Sequence, residues 1–347
     1  METEPELATV VAVFSDVHSN HLALGQVLAD ARCQGADEVW FLGDLVGYGP
    51  FPAQVWSLVQ QQRPPWRWAV AGNQDWGLIG RLGKSFGLSP QPSSGRTATP
   101  VSLDFNEIAH RAQSMNQAAT PERGAGARLR AWLGNLPLVA SPRAGVYLVH
   151  GSFAAERRET YLEAYVCDAD DAEAAWGSLL QQLGNTGWSA PGFVAEPDRW
   201  HPPRLLLVGH WHTQLAWRRA PNGPHSAVWQ RLVTGFGAPP YANCGHATQP
   251  AQALSSAEPV PVEVVCRSPL LDSDLRCPAI VNPGSVGLPR DGAQAAAGWA
   301  WAKYALIDWG QPGGQLRFRY VPYRIQPVLD ELEKLAYPKE IADWLRG

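Results

Sequence analysis

The sequence predicts an α/β fold in which two sheets pack face to face with helices outside. Three observations carry that expectation. Apolar, β-branched runs alternate with helical patterns from Val10 to Asn73, the signature of a parallel sheet. After His212 come short runs separated by turn residues, as in antiparallel strands. Five clusters of oxygen- and nitrogen-donor side chains each close an apolar run: Asp16 and His18 after VVAVFS, Asp44 after VWFLG, Asn73 after WAVAG, His150 after VYLV, and His210 and His212 after LLLVG.

VVAVFS is a fully buried strand by its continuous β-branched and aromatic run. Asn20 is placed to cap a helix starting near His21, whose Leu22, Leu24, Val27, Leu28 and Ala31 share one face. Gly35 is its stop signal. VWFLG is the next strand, a helix follows from Ala53 to Gln61, and WAVAG is the third strand. Residues 82–100, rich in Gly, Ser and Pro, read as a surface loop. Helices are expected over Ser102–Gln117, Gly126–Gly134 and Asp170–Leu183, with buried strands at VYLVH and RLLLVGH. LAWRR, AVWQRLV, PVEVVC, AIVN, KYALIDW and QLRFRYVPY are the later, antiparallel strands. Residues 239–261 read as a Pro- and Ala-rich insertion, and residues 327–345 as a helical tail. The expected organisation is one domain over 1–347 with its core at about 10–323, two sheets packed face to face with helices outside, and no repeat at a solenoid period is present.

Composition is that of an ordinary globular protein, with 45% hydrophobic and 17% charged residues. A net charge of −4 and no basic stripe with interleaved aromatics give no support for nucleic-acid binding. No apolar run is long enough for a membrane span, and the acidic N-terminus lacks the features of a signal peptide. Five cysteines without regular spacing fit a reducing, cytoplasmic compartment rather than a disulfide framework. The 16 tryptophans suit core and helix-packing positions.

Residues i and i+2 at a strand end point to one side, so Asp16 with His18, and His210 with His212, could each grip one ion. The carboxyl edge of an open α/β sheet is where ligands bind. Two carboxylates, three or four histidines and one amide oxygen exceed the needs of a single ion and suit two ions sharing a carboxylate. Imidazole and oxygen donors together favour manganese, iron or zinc over calcium, with nickel or magnesium as further choices. Two divalent ions against Asp16 and Asp44 leave positive charge to attract a phosphate group and to acidify a bridging water.

The ordered series SDVHSN, FLGDLVGYGP, AGNQD, VHGS and VGHWH resembles the D-x-H, G-D, G-N-x-D, H-G, G-H-x-H series of the calcineurin-like metallophosphoesterase superfamily. GDLVGYGP and the later NPGSVGLPRDG are similar to its small bacterial and archaeal phosphodiesterase-type branch, built as one catalytic domain. The resemblance spans about Val10 to Tyr323. It implies a four-layer α-β-β-α sandwich of two mixed sheets. It implies one metal on Asp16, His18 and His212, a second on Asn73, His150 and His210, and Asp44 as the bridge. Much of the superfamily carries a histidine where this chain has Gln74, between Asn73 and Asp75. A glutamine amide can donate a hydrogen bond but delivers no proton, and general-acid help is worth about 10²–10⁴-fold. Asp75 is expected to orient a ligand.

The implied function is a dimetal-dependent phosphoesterase using metal-bound hydroxide, with Asp44, Asn73, Gln74 and Asp75 at the catalytic centre. Gln74 tilts the substrate toward phosphodiesters. A phosphomonoester or Ser/Thr phosphoprotein phosphatase is the near alternative, and a non-catalytic scaffold on the same fold is the alternative of another class. Singly, each donor has a plainer role: Asp16 as a cap, Asp44 and Asn73 as turn formers, His150 as an edge histidine. Helix capping or a surface position suits His21, and surface positions suit His110, His201 and His225. Cys244, His246, Cys266 and Cys277 match no zinc spacing. Gly284, Ser285 and Gly287 could bring backbone to a substrate or form a tight turn, and Arg157 and Arg290 are the cations nearest the motifs.

Overall fold

Val11 and Val13 leave the first strand on one face, Ala12 and Phe14 on the other, and each pair joins a different apolar core. That alternation, repeated strand by strand, sets the layers. The computed structural model describes residues 9–62, 66, 68–81, 103–153, 160–184, 193–195, 201–221, 227–234, 259–266, 270, 277–290 and 298–346. Its elements are β1 (Val10–Phe14), α1 (His21–Cys33), β2 (Glu38–Phe41), α2 (Pro52–Gln61), β3 (Trp68–Ala69), α3 (Asn73–Leu78), α4 (Leu103–Ala119) and α5 (Gly124–Asn135). There follow β4 (Val139–Arg143), β5 (Val146–Val149), α6 (Thr160–Glu163), α7 (Ala169–Gly184), β6 (Phe193–Ala195), β7 (Leu205–Leu207), β8 (Gln214–Pro221) and β9 (Ala227–Thr234). The chain ends with β10 (Val262–Val265), β11 (Ala279–Pro283), β12 (Trp299–Asp308), β13 (Gln315–Arg324), α8 (Gln326–Lys334) and α9 (Lys339–Arg346).

One sheet has the order β10-β13-β12-β1-β2-β3, the other β6-β4-β5-β7-β11-β8-β9. Both are mixed. β1, β2 and β3 run parallel, and β12 adds antiparallel to β1, Val10 opposite Asp308. In the second sheet β5, β7 and β11 run parallel and β8 and β9 follow antiparallel. AIVN, expected in a purely antiparallel set, lies instead in a mixed position. Its strand, β11, pairs parallel with β7 on one edge and antiparallel with β8 on the other.

The inter-sheet core contains Val11, Val13, Trp40 and Phe318 from the first sheet and Leu148, Leu205, Leu207 and Val281 from the second. Ala12, Phe14, Tyr304 and Leu306 turn outward against Leu24 and Val27 of α1, Val55 of α2 and Leu332 of α8. Tyr147, Val149 and Leu206 turn outward against Trp176 and Leu179 of α7. The result is the four-layer α-β-β-α sandwich. Each Val, Leu or Phe side chain among these stabilises the fold by about 1.5–3 kcal/mol on full burial. Asp30 of α1 also accepts a two-pronged contact from Arg319 (3.0 and 2.7 Å) and a hydrogen bond from the Tyr304 hydroxyl (2.7 Å), which fixes α1 on β12 and β13.

Asn20 caps α1 as the sequence indicates, its side chain accepting from Ala23 N at 3.1 Å. Gly35 (φ 74°) ends that helix, and Ala36 N reaches back to Ala31 O at 3.0 Å. The tail is two helices rather than one. Ala336 turns left-handed (φ 55°) and Pro338 lacks the N–H to continue α8. The expected loop at 82–100 lies outside the described residues, as do Arg157, His225, Cys244 and His246 and the 239–258 part of the insertion.

Candidate metal centre

The donors sit beyond the strand ends, where two loops zip together. Asp16 N donates to Gly43 O, His18 N to Asp44 O and Ser19 N to Leu45 O, each at 3.0 Å. Asp16, His18, Asp44, His210 and His212 all have left-handed backbones, with φ of 56°, 47°, 58°, 62° and 63°. Strand alternation therefore does not pair Asp16 with His18, because β1 has ended at Phe14. Left-handed residues two apart do so, at a cost of roughly 1–2 kcal/mol for each such residue. Asn73 is likewise the first residue of α3 rather than a strand end.

The turns gather the donors into two groups. Asp16, His18 and His212 each offer an atom within 4.8 Å of the others, and so do Asp44, His150 and His210. His212 Nε2 lies 3.1 Å from Asp16 Oδ1 and 3.0 Å from His18 Nε2. Asn73 Oδ1 lies 3.1 Å from His150 Nε2, so the second group contains it too. Asp44 Oδ2 is 3.4 Å from His150 Nε2 and 3.9 Å from His18 Nε2, between the groups. All but His210 are buried, and His210 is partly exposed.

Three imidazoles are oriented by backbone carbonyls. Nδ1 of His18 faces Val46 O (3.3 Å), that of His150 faces Leu42 O (2.7 Å), and that of His212 faces Leu288 O (2.6 Å). Placing a proton on each Nδ1 leaves Nε2 of His18 and His212 as facing lone pairs. Asp16 Oδ1, also buried, accepts no hydrogen bond. Two lone pairs and an unsatisfied carboxylate oxygen turned to one point are a donor set for a cation.

Burial opposes ionisation of Asp16, but the imidazoles of His212, His150 and His18 outweigh it and hold the carboxyl well below its usual range. His18 and His210 are lowered to about 3, by burial first and then by neighbouring imidazoles. Burial opposes protonation of His150 as well, yet the charge and hydrogen bond of Asp44 raise it to about 9. In metal-free protein His150 therefore stabilises the fold below pH 6.5, and that contribution is lost as pH rises through about 9. A cation taking the His150 lone pair must expel its proton, so affinity at this half is expected to rise with pH until about 9. His18 is already neutral and Asp16 already ionised near neutral pH, so neither adds to the release. Titration calorimetry of manganese in two buffers of different protonation heat measures this. A heat independent of buffer would contradict it.

Several residues hold the donors in place, among them Asp75, which the sequence marks, and Gly72 and Asn116, which it does not. Asp75 accepts backbone N–H groups from Asp44 (2.9 Å), Leu45 (2.9 Å), Val46 (3.3 Å) and Gly72 (3.0 Å), tying the Asp44 loop to the start of α3. Gly72 is required by contact, since a Cβ there would lie 2.0 Å from Asp44 Oδ1. Gly284, Ser285 and Gly287 belong to a brace for the metal loop. Ser285 Oγ and Gly287 N donate to Asp16 O at 2.8 and 2.9 Å.

Asn116 of α4 accepts from Ser19 Oγ (2.7 Å) and Gly47 N (3.2 Å), and donates to Gly49 O (3.0 Å) and the Tyr337 hydroxyl (3.2 Å). Asn116→Leu leaves these buried groups short of partners, at about 1–3 kcal/mol each before relaxation. The variant is expected to melt earlier and to bind metal about 10–100-fold more weakly. Unchanged melting and metal affinity would show that the clamp is idle.

Arg290, exposed, lies over the rings of Tyr48 (5.2 Å) and Trp344 (4.9 Å), and Tyr48 meets His18 edge-on at 5.0 Å. The C-terminal helix α9 thus reaches the metal loop through Trp344. His110 and His201 are exposed, and His21 packs half-buried on Phe51, all apart from the donor groups. A third acidic group, Cys167, Asp168 and Asp171, is accounted for by helix capping. Asp168 Oδ1 accepts from Asp170 N (3.0 Å) and Asp171 N (2.9 Å), and the Cys167 thiol donates to Asp171 (2.9 Å).

Two mixed sheets and a paired His/Asp donor set at their common edge define a dimetal hydrolase architecture, and the profile of the calcineurin-like phosphoesterases matches residues 9–214. The chain belongs to that family, whose members are hydrolases acting on phosphate esters. A crystal structure of a metallophosphoesterase from Sphaerobacter thermophilus is similar over 97% of this chain and 98% of that one, with a TM-score of 0.58 and 24% identity. The hypothetical protein PH1004 from Pyrococcus horikoshii OT3 is similar over 97% of both chains, with a TM-score of 0.55 and 15% identity. These two likenesses concern the fold. Uncharacterized protein MJ0912 from Methanocaldococcus jannaschii is 38% identical over 73 residues, which span 21% of this chain and 29% of that relative.

Proposed function

We propose that this chain is a dimetal-dependent phosphoesterase that prefers phosphodiesters. The observation that carries the reading is Asp44 Oδ2, set 3.4 Å from His150 Nε2 and 3.9 Å from His18 Nε2, where one carboxylate serves both donor groups. The facing lone pairs of His18 and His212 and the bare Asp16 Oδ1 support a cation in the first group. Asp16, His18 and His212 would hold it, and Asn73, His150 and His210 would hold a second. Divalent ions there supply Lewis-acid charge and an acidified water, with manganese the first choice and iron, zinc, nickel or magnesium as alternatives.

The remaining work falls to the chain itself. Asp44 keeps its second oxygen on Gln74 N at 2.8 Å, which fixes its rotation. Asp75 holds the Asp44 loop through its backbone. Asn73 supplies a neutral oxygen beside His150. Gln74 is buried, and its Oε1 has no hydrogen-bond partner among the described residues. Its amide can orient an oxygen but cannot protonate one, which favours substrates that need no proton from this position. That is the support for diesters over phosphomonoesters and phosphoproteins.

The test uses purified protein with manganese, a bis-aryl phosphodiester and an aryl phosphomonoester. The diester is expected to have the higher kcat/KM. A higher value for the monoester overturns the diester preference, and cleavage of neither overturns the phosphoesterase reading. The proposal takes residues 1–347 as one catalytic domain, supported by β12 and β13 of the last third sharing a sheet with β1. It places the protein in a reducing, cytoplasmic compartment, supported by the thiols of Cys33 and Cys167. No helix among the described residues is long and apolar enough to cross a membrane.

A further inference from the structure

We propose that Tyr165 and Trp211 form a stacking platform for a planar ring, a nucleobase or aryl group, carried by the phosphate ester at the His210 end of the centre. The inference rests on the phosphoesterase reading and deepens it by naming a substrate class.

The Tyr165 ring lies flat on the His210 imidazole, with centroids 4.6 Å apart and planes at 11°. Trp211 meets Tyr165 at 5.1 Å and 68°, so the two rings make a corner. Tyr165 comes from the segment between α6 and α7, whereas Trp211 stands between two donor histidines. The His212 side chain is 3% exposed and turned into the donor group, while Trp211 is 37% exposed and turned out.

A single exposed apolar side chain is ordinary on a protein surface. Two features set this one apart. It is the only aromatic among the exposed large hydrophobic side chains of the described residues. It also touches, through one intervening ring, an imidazole of the donor set. An indole and a phenol at an angle let a third ring stack on one face and meet the other edge-on, the two preferred aromatic geometries. Alkyl esters gain nothing comparable from such a corner. A ring on the ester oxygen lies within a few bonds of a phosphate held at His210, so stacking and phosphate binding are compatible.

The test is equilibrium binding to manganese-loaded protein, which requires no turnover. Methyl phosphate, phenyl phosphate and adenosine 5′-monophosphate are compared, all phosphomonoesters. The ring-bearing probes are expected to bind roughly 5- to 150-fold more tightly than methyl phosphate, the range of base–aromatic stacking. Trp211→Ala and Tyr165→Leu should each erase most of that advantage while methyl phosphate keeps its affinity. Equal binding of all three by the unaltered protein overturns the platform and leaves the phosphoesterase reading standing. Equal weakening of all three by the variants also overturns it, because the rings would then only brace His210. Binding of none overturns the platform, while the phosphoesterase reading is decided separately by turnover of the bis-aryl diester. A gain for the nucleotide but not for the phenyl ester narrows the class to nucleobases.

Discussion

Asp44→Ala is expected to abolish phosphoesterase turnover, lowering kcat/KM by about 10³-fold or more. The estimate follows from the several kcal/mol that a metal pair supplies to a phosphoryl transition state, at about 1.4 kcal/mol for each factor of ten. Among the described residues Asp44 lies within 4 Å of an imidazole in each donor group, so its loss weakens both halves together. It also frees the buried Gln74 N–H, which donates to Asp44 Oδ1 at 2.8 Å. Asp44→Asn separates these effects. The amide oxygen can still accept from Gln74 N, whereas the charge that raises His150 is gone. His150 should then titrate lower, and folding should be largely retained while metal content falls. Metal analysis beside steady-state kinetics decides the matter. Two ions per chain with activity within tenfold of the parent would remove Asp44 from the bridge.

Asp75→Ala is expected to be the most damaging change outside the donor set. Asp75 is 0% exposed, and four backbone N–H groups converge on it: those of Asp44, Leu45, Val46 and Gly72. Leaving buried donors unpaired costs about 1–3 kcal/mol each, and relaxation recovers only part. A net loss of about 4 kcal/mol is a large share of the 5–15 kcal/mol that holds an ordinary domain together. Because the same N–H groups set the Asp44 loop, metal affinity should fall about 10–100-fold as well. Asp75→Asn keeps one acceptor oxygen and should fall between. Thermal melting with and without manganese separates the two losses. An Asp75→Ala protein that melts like the parent and binds manganese normally would contradict the assignment.

The helix caps and strand runs were legible because their causes are local. Asn20 and Gly35 bound α1 through chemistry within a few residues, and β1 and β7 announce themselves by unbroken apolar runs. β4 was not legible. VASPR combines Ser141 and Pro142 in an otherwise unremarkable stretch, and only pairing with β5 and β6 makes it a strand. The direction of β11 was hidden for a related reason. A short apolar run such as Ala279–Val281 is the same in parallel and antiparallel pairings, and its neighbours are chosen by the sheet. Asn116 gave no signal at all. A polar residue in a helix is ordinarily solvated, and its clamp exists only because α4 lies against the Asp44 loop. The break at Pro338, by contrast, was available in the sequence.

What the sequence by itself determined is the donor chemistry and its order: which side chains can bind cations, and that each follows an apolar strand. Those properties belong to residue types and to local periodicity. The tertiary structure decided how the donors are partnered. His212 meets Asp16 across 196 positions of chain, and His150 meets Asn73 across 77, because two sheets bring their carboxyl ends to one edge. Left-handed turns at Asp16, His18, Asp44, His210 and His212 then aim the side chains. Such turns are tolerated by Asp and His better than by most residues, yet each still costs energy. They persist because the packed strands and the hydrogen bonds of Asp75, Asn116 and Ser285 leave the backbone no cheaper path.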